Sequence, residues 1–185
     1  MDIKEFLPEL RRLVQGPLQA VMADELYSSA IVFCKESQAI REEFIIGDVV
    51  ESQVYDITPT IQGVKVWGVV LVHDGVNELK HDIDYRSTSR GTIKFLRDNK
   101  GVNVVAWLCP TDKANIPNAL ADYDTEIACG AAAAIQLQLD KPWTNGSLSA
   151  ANQRLFVEGY RKAWREVVEQ YGNYQNPTIN NSYWV

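Results

Sequence analysis

Apolar positions follow a helical period most clearly between Lys141 and Gln170, KPWTNGSLSAANQRLFVEGYRKAWREVVEQ. After a Pro-Trp dipeptide and a polar turn, Leu148, Ala151, Leu155, Phe156, Gly159, Ala163, Trp164 and Val167 recur at the spacing of one buried stripe. Tyr160 and Trp164 widen the stripe, and Arg154, Glu158, Arg161, Lys162, Arg165 and Glu166 cover the other face. The pattern predicts one long amphipathic helix.

Three other segments share this period. Residues 2–15 place Ile3, Phe6, Leu7, Leu10, Leu13 and Val14 on one side, with Pro8 expected to weaken or bend the helix. Gly16-Pro17 reads as a stop followed by a start. From Leu18 to Gln38 there are two apolar lines: Leu18, Met22, Leu26, Ala30 and Phe33, and beside them Ala23, Tyr27, Ala30 and Cys34. Two lines predict a helix covered on more than one side, as in a bundle. From Pro117 to Leu139 a further helix is expected, with Asp122, Asp124 and Glu126 suiting its N-terminal dipole. The run from Cys129 to Ala134 has so little bulk that a neighbouring helix can approach closely, placing Phe156, Tyr160 and Trp164 against it.

Between these helices the pattern changes to β-branched and aromatic runs with partial alternation. EEFIIGDVVESQVYDITPT, IQGVKVWGVVLVHDG, NELKHDIDY, GTIKFLRDNKG and VNVVAWLCPT read as strands. Asp74-Gly75 is a hairpin-type turn signal, and RSTSRG and Asp98 to Gly101 separate the later strands. The predicted class is α+β. Residues 1–42 and 117–170 form a helical bundle built from both ends of the chain, residues 43–116 an inserted small antiparallel β-sandwich or barrel, and residues 171–185 an extended C-terminal tail.

Composition narrows the function. The 185 residues suffice for one good core and carry a net charge of −6, which argues against a dedicated nucleic-acid binder. Residues 1–60 hold five Lys/Arg against eleven Asp/Glu, residues 61–116 eight against six, and residues 117–185 five against seven. An acidic body can still sit beside DNA if its task is to let DNA slide past without sticking. No apolar run reaches the ~20 residues of a membrane span. MDIKEFLPEL lacks the basic start and apolar block of a signal peptide, so a protein made in a cytoplasm and beginning at Met1 is expected.

Catalytic motifs are missing from the sequence: it has no nucleophile elbow, phosphate loop or dinucleotide fingerprint. Cys34, Cys109 and Cys129 fit no zinc spacing and read as reduced, buried thiols. His81 with Asp82 and Asp84, whose side chains would share one strand face, is an incomplete metal set equally explained by solvated charges at a sheet edge. RSTSRGT, Arg86 to Thr92, offers hydroxyls and two arginines to a phosphate, but turn chemistry alone would choose it. Glu42 and Glu43 are adjacent on a strand and would point to opposite faces. No catalytic residue, cofactor or metal is assigned.

The tail is more informative. Beyond Glu169 the sixteen residues QYGNYQNPTINNSYWV contain no Asp, Glu, Lys or Arg. Tyr171, Tyr174, Pro177, Ile179, Tyr183 and Trp184 are the candidate partner-binding residues, reaching into a groove or adding to a sheet edge of a neighbour. Folding back on the bundle is the alternative for this segment.

Three features resemble the head-to-tail adaptor (connector, or head-completion) proteins of tailed bacteriophages: LYSSAIVFCKESQAIREEFII, IACGAAAAIQLQLDKPWTNGSLSAANQRLFVEGYRKAWREV, and a helical bundle interrupted by strands. The resemblance implies a homo-oligomeric ring of about twelve copies closed by a heterologous interface. It also implies docking under the portal, attachment of tail proteins below, and DNA passing through the channel without sequence-specific contact. The rival expectation is a β-sandwich ligand- or glycan-binding module on a helical stalk, with Trp67 and Trp107 as stacking platforms, although their apolar surroundings favour burial. An enzyme using His81, Asp82 and Asp84 is the weakest reading.

Overall fold

The computed structural model describes residues 1–171 as a mixed α+β fold. A 3-10 turn at Ile3–Phe6 is fixed by a reciprocal cap. Asp2 Oδ1 accepts from Lys4 N at 2.9 Å and Asp2 N donates to Glu5 Oε1 at 3.0 Å. Helix α1, Leu7–Leu13, continues from it. The bend expected at Pro8 is a helix start instead, because in the first turn its missing N–H removes no helical bond. Ile3 N donates to Ala114 O and Ile116 N donates to Met1 O, both at 2.9 Å, so the first residues are tied to the segment leaving the strand block.

Helix α2, Gln19–Ser37, ends where Gln38 turns left-handed at φ 52°. Met22, Leu26, Ala30, Phe33 and Cys34 are buried, whereas Leu18 precedes the helix and is 76% exposed, so it leaves the expected apolar line. The segment 117–139 is also divided. A 3-10 stretch, Asn118–Tyr123, leads into α3, Asp124–Gln136. Helix α4 is Gly146–Tyr171.

Six strands lie between α2 and α3: β1 Arg41–Val49, β2 Val54–Asp56, β3 Val64–His73, β4 Tyr85–Ser89, β5 Thr92–Phe95 and β6 Asn99–Pro110. They make two separate three-stranded antiparallel sheets, in the orders β1-β6-β3 and β2-β5-β4, and no closed barrel. Two expected boundaries are corrected. NELKHDIDY is not a strand, because the Asp74 carboxylate binds Val76 N and Asn77 N and the Asp84 carboxylate binds Lys80 N. These N–H groups are thereby withdrawn from any ladder, and Asp82 turns left-handed at φ 64°. RSTSRG is not a simple loop: Arg86–Ser89 belong to β4, joined to β5 by the two-residue turn Arg90-Gly91.

Strand β6 is central to its sheet and rests on α2. Leu108 N donates to Ile40 O at 2.9 Å, and Tyr27 Oη donates to Pro110 O at 3.4 Å. Buried residues of both sheets and of all four α-helices form one continuous core, in which Phe33, Phe95, Leu108 and Ile127 are fully enclosed.

Candidate interaction surfaces

The face that α4 buries differs from the one its apolar pattern predicts. Ser149, Asn152, Phe156, Gly159, Ala163 and Val167 point inward, while Leu148, Ala151, Leu155 and, at 45%, Trp164 are exposed. The rotation has two causes on α3. Gly130 leaves room for the Phe156 ring, and two polar side chains are drawn in by hydrogen bonds. Ser149 Oγ donates to Ala133 O at 2.8 Å and Asn152 Nδ2 to Gln136 Oε1 at 3.0 Å. Gln136 Nε2 in turn donates to Leu13 O at 3.1 Å, satisfying the C-terminal end of α1. The small-residue seam therefore receives Phe156 but not Trp164.

The Pro142-Trp143 turn anchors the α3–α4 connection to the N-terminal helices. Trp143 lies against Gly16, where a Cβ would stand 2.9 Å from Cε3, and its indole N–H donates to Gln138 Oε1 at 3.2 Å. Asn145 Oδ1 accepts from Leu148 N at 3.0 Å and caps the start of α4. Leu137, Leu139 (81% exposed) and Leu148 are exposed on either side of this turn. Midway along α4, a groove of about 450 Å³ runs beside α3, lined by Thr125, Glu126, Cys129, Leu155, Lys162 and Arg165 among others.

Tyr174, Pro177, Ile179, Tyr183 and Trp184, and the side chain of Tyr171, lie outside the described residues. Helix α4 delivers the chain to that segment.

The candidate metal set is not assembled. His81 Nδ1 lies 2.9 Å from Asp82 Oδ2, and Asp82 Oδ1 accepts from Arg86 Nε at 2.9 Å. Asp84 instead faces Lys80 N at 2.8 Å and Arg97 at 3.5 Å. The two aspartates sit in a turn and serve different partners, not one strand face. Among the described residues no group of three or more His, Cys, Asp and Glu is arranged to hold a metal ion. Glu42 binds Thr60 through its N–H at 3.0 Å and its hydroxyl at 2.5 Å, while Glu43 lies 3.3 Å from His73 Nε2, so the adjacent pair is split between two tasks. No described helix is long and apolar enough to cross a membrane.

Trp67 and Trp107 are half-buried, with ring centroids 6.1 Å apart. Gly68, opposite Trp107 in the β3–β6 register, makes this possible, since a Cβ there would lie 2.5 Å from the indole nitrogen. Over the Trp67 ring stand three cations: Arg90 at 3.6 Å, Lys35 at 4.3 Å and Lys65 at 5.5 Å from its centroid. A ring so covered does not offer the open face that sugar stacking requires. The same cations reach Cys109. The Cys34 thiol hydrogen-bonds to it; this bond and burial push Cys34 up, while the same bond, against burial, holds Cys109 below its ordinary value, and the charges of Lys35, Lys65 and Arg90 lower Cys109 further. These three basic residues come from α2, β3 and the β4–β5 turn and share no sequence motif. The local excess of Lys/Arg over Asp/Glu in residues 61–116 hints at Lys65 and Arg90, whereas Lys35 lies in the acidic first third of the chain.

No protein-family model matches the chain, and no curated protein matches it.

Proposed function

We propose that this chain is a virion structural protein, a non-enzymatic head-to-tail adaptor of a tailed bacteriophage. In this reading it is made in the host cytoplasm and docks on the portal as an oligomeric ring of about twelve copies. It joins the portal to the tail proteins and lines the channel through which DNA leaves, without sequence-specific contact and without a membrane.

One observation carries the reading. Helices from both ends of the chain pack together, Phe33 of α2 meeting both Tyr123, at the end of the 3-10 stretch that leads into α3, and Phe156 of α4, while the six strands are spliced in between them. This is the layout that the resemblance implies, and α4 then leads directly into the charge-free aromatic segment that would reach a neighbour. The net charge of −6 also suits a conduit that must not grip phosphate.

The test is reconstitution with the portal protein of the same virus. The full chain is expected to add a ring to purified portals, visible by electron microscopy and by light-scattering mass. A chain ending at Gly172 is expected to fold, by circular dichroism, and to fail to join. No ring from the full chain sinks the adaptor reading; normal joining by the shortened chain removes the tail from the docking contact.

A further inference from the structure

We propose that the cations gathered on Trp67 (Lys35, Lys65 and Arg90) are one half of a head-to-tail contact between copies of this chain. The other half is the carboxylate cluster of Asp122, Glu126 and Glu166 on the next copy. The identity of the partner as a second copy rests on the ring reading above; the need for an acidic partner does not.

Lys35, Lys65 and Arg90 crowd one indole ring, and among the described residues none of them forms an ion pair. Three like charges so close repel one another. The negative face of the ring offsets part of that repulsion, and an anion from outside would offset the rest. Lys65 and Arg90 are exposed and Lys35 is half-exposed, so an incoming surface has access. A patch of three cations on a chain of net charge −6 is too small and too isolated for the broad basic footprint of a nucleic-acid binder. It is suited to a compact set of carboxylates.

The same chain carries such a set. Tyr123 donates its hydroxyl to Glu166 at 2.9 Å. Asp122 adjoins Tyr123 in the chain and Glu126 follows in the first turn of α3, and partial burial, Glu166 and the charges of these two residues push the ionisation of Tyr123 up to about 12. Of these three acidic residues only Glu166 forms an ion pair among the described residues, with Lys162 at 3.8 Å. The two clusters lie on opposite flanks of α2. Phe33 packs on Tyr123 with centroids 4.9 Å apart, whereas Lys35, two residues on and about 200° around the helix, reaches over Trp67. A molecule therefore cannot close this contact on itself, but each copy can offer one flank to the next, which is the geometry of a heterologous interface.

The experiment is charge reversal with mixing, read by sedimentation of the full chain at about 20 mM and about 500 mM salt, where screening lengths differ several-fold. The wild type is expected to self-associate in low salt and dissociate in high salt. The triple variant Lys35→Glu, Lys65→Glu, Arg90→Glu, and separately the double variant Asp122→Lys, Glu126→Lys, are expected to associate at least tenfold more weakly. Mixed together, the two variants are expected to associate again, because each supplies the sign that the other lacks; recovery on mixing also shows that both are folded. The proposal is overturned by a wild type that remains a single chain in low salt, by variants that associate like the wild type, or by a mixture that stays dissociated. Patch-dependent binding of a short duplex DNA without self-association would also overturn it, by assigning the cations to phosphate. Association that ignores both reversals removes this contact and leaves the ring standing, whereas failure on portals removes the ring reading itself.

Discussion

Gly130 on α3 lies directly beneath the ring of Phe156 on α4: a Cβ built on it would stand 2.8 Å from Cδ2 and 2.9 Å from Cε2. Phe156 is itself held between Phe33, at 6.2 Å, and Tyr160, at 5.5 Å, so the ring has nowhere to retreat. Replacing Gly130 by Ala gains up to about 1 kcal/mol of helix propensity but overpacks the seam at a cost of about 1–3 kcal/mol. Net destabilisation of about 1–2 kcal/mol is expected in urea unfolding. Adding Phe156→Leu should make the same Gly130→Ala step less costly, and a purely additive double mutant would show that the contact does not limit packing.

Gly159 repeats the close approach on the facing helix. A Cβ there would meet Cγ of Glu126 and stand 2.7 Å from its Cβ, the root of the side chain, which a change of rotamer cannot carry away. Gly159→Ala is therefore expected to push α3 and α4 apart and to destabilise by about 1–3 kcal/mol, more than the helix propensity it gains. An unchanged or raised urea midpoint would show that the two helices can shift without loss of packing.

Gln136 is buried and bridges three helices, accepting from Asn152 and donating to Leu13 O. Gln136→Leu nearly preserves volume but strands a buried amide N–H and a helix-terminal carbonyl. It should cost about 2–4 kcal/mol, more than the loss of a typical single hydrogen bond. Gln136→Glu keeps the acceptor but places a charge in the core, and is expected to become less harmful as pH falls and the carboxyl protonates. Thermal melts between neutral and mildly acidic pH read both effects.

Tyr123 titrates near 12 in the folded chain, above its ordinary value of 10, because partial burial and the carboxylates of Glu166, Asp122 and Glu126 oppose a phenolate. Between those values the folded state holds a proton that the unfolded chain has released, so stability falls as pH rises. The contribution is complete below pH 10 and is lost progressively towards about 12. Tyr123→Phe should flatten this alkaline decline in the urea midpoint, and an unchanged slope would dissociate the decline from Tyr123.

Short-range periodicity was enough to locate α2, the long α4 and most strands, because repeating apolar positions and turn residues act within a few residues of one another. The small-residue run from Cys129 to Ala134 likewise announced a close helix contact, and Phe156 does fill it. Where the local pattern misled, a distant or competing partner was responsible. Ser149 and Asn152 turn inward because carbonyl groups on α3 accept from them, which rotates Leu148, Leu155 and Trp164 outward against their hydrophobicity. Asp74 and Asp84 take backbone N–H groups that an alternating run would otherwise commit to a strand. Lys35, Lys65 and Arg90 are separated by 30 and 25 positions, and only the folding of α2, β3 and the β4–β5 turn around Trp67 brings their charges together. Element type follows from neighbours along the chain. Facing and charge convergence depend on which surfaces the packed elements bring together, and that was settled by the tertiary structure.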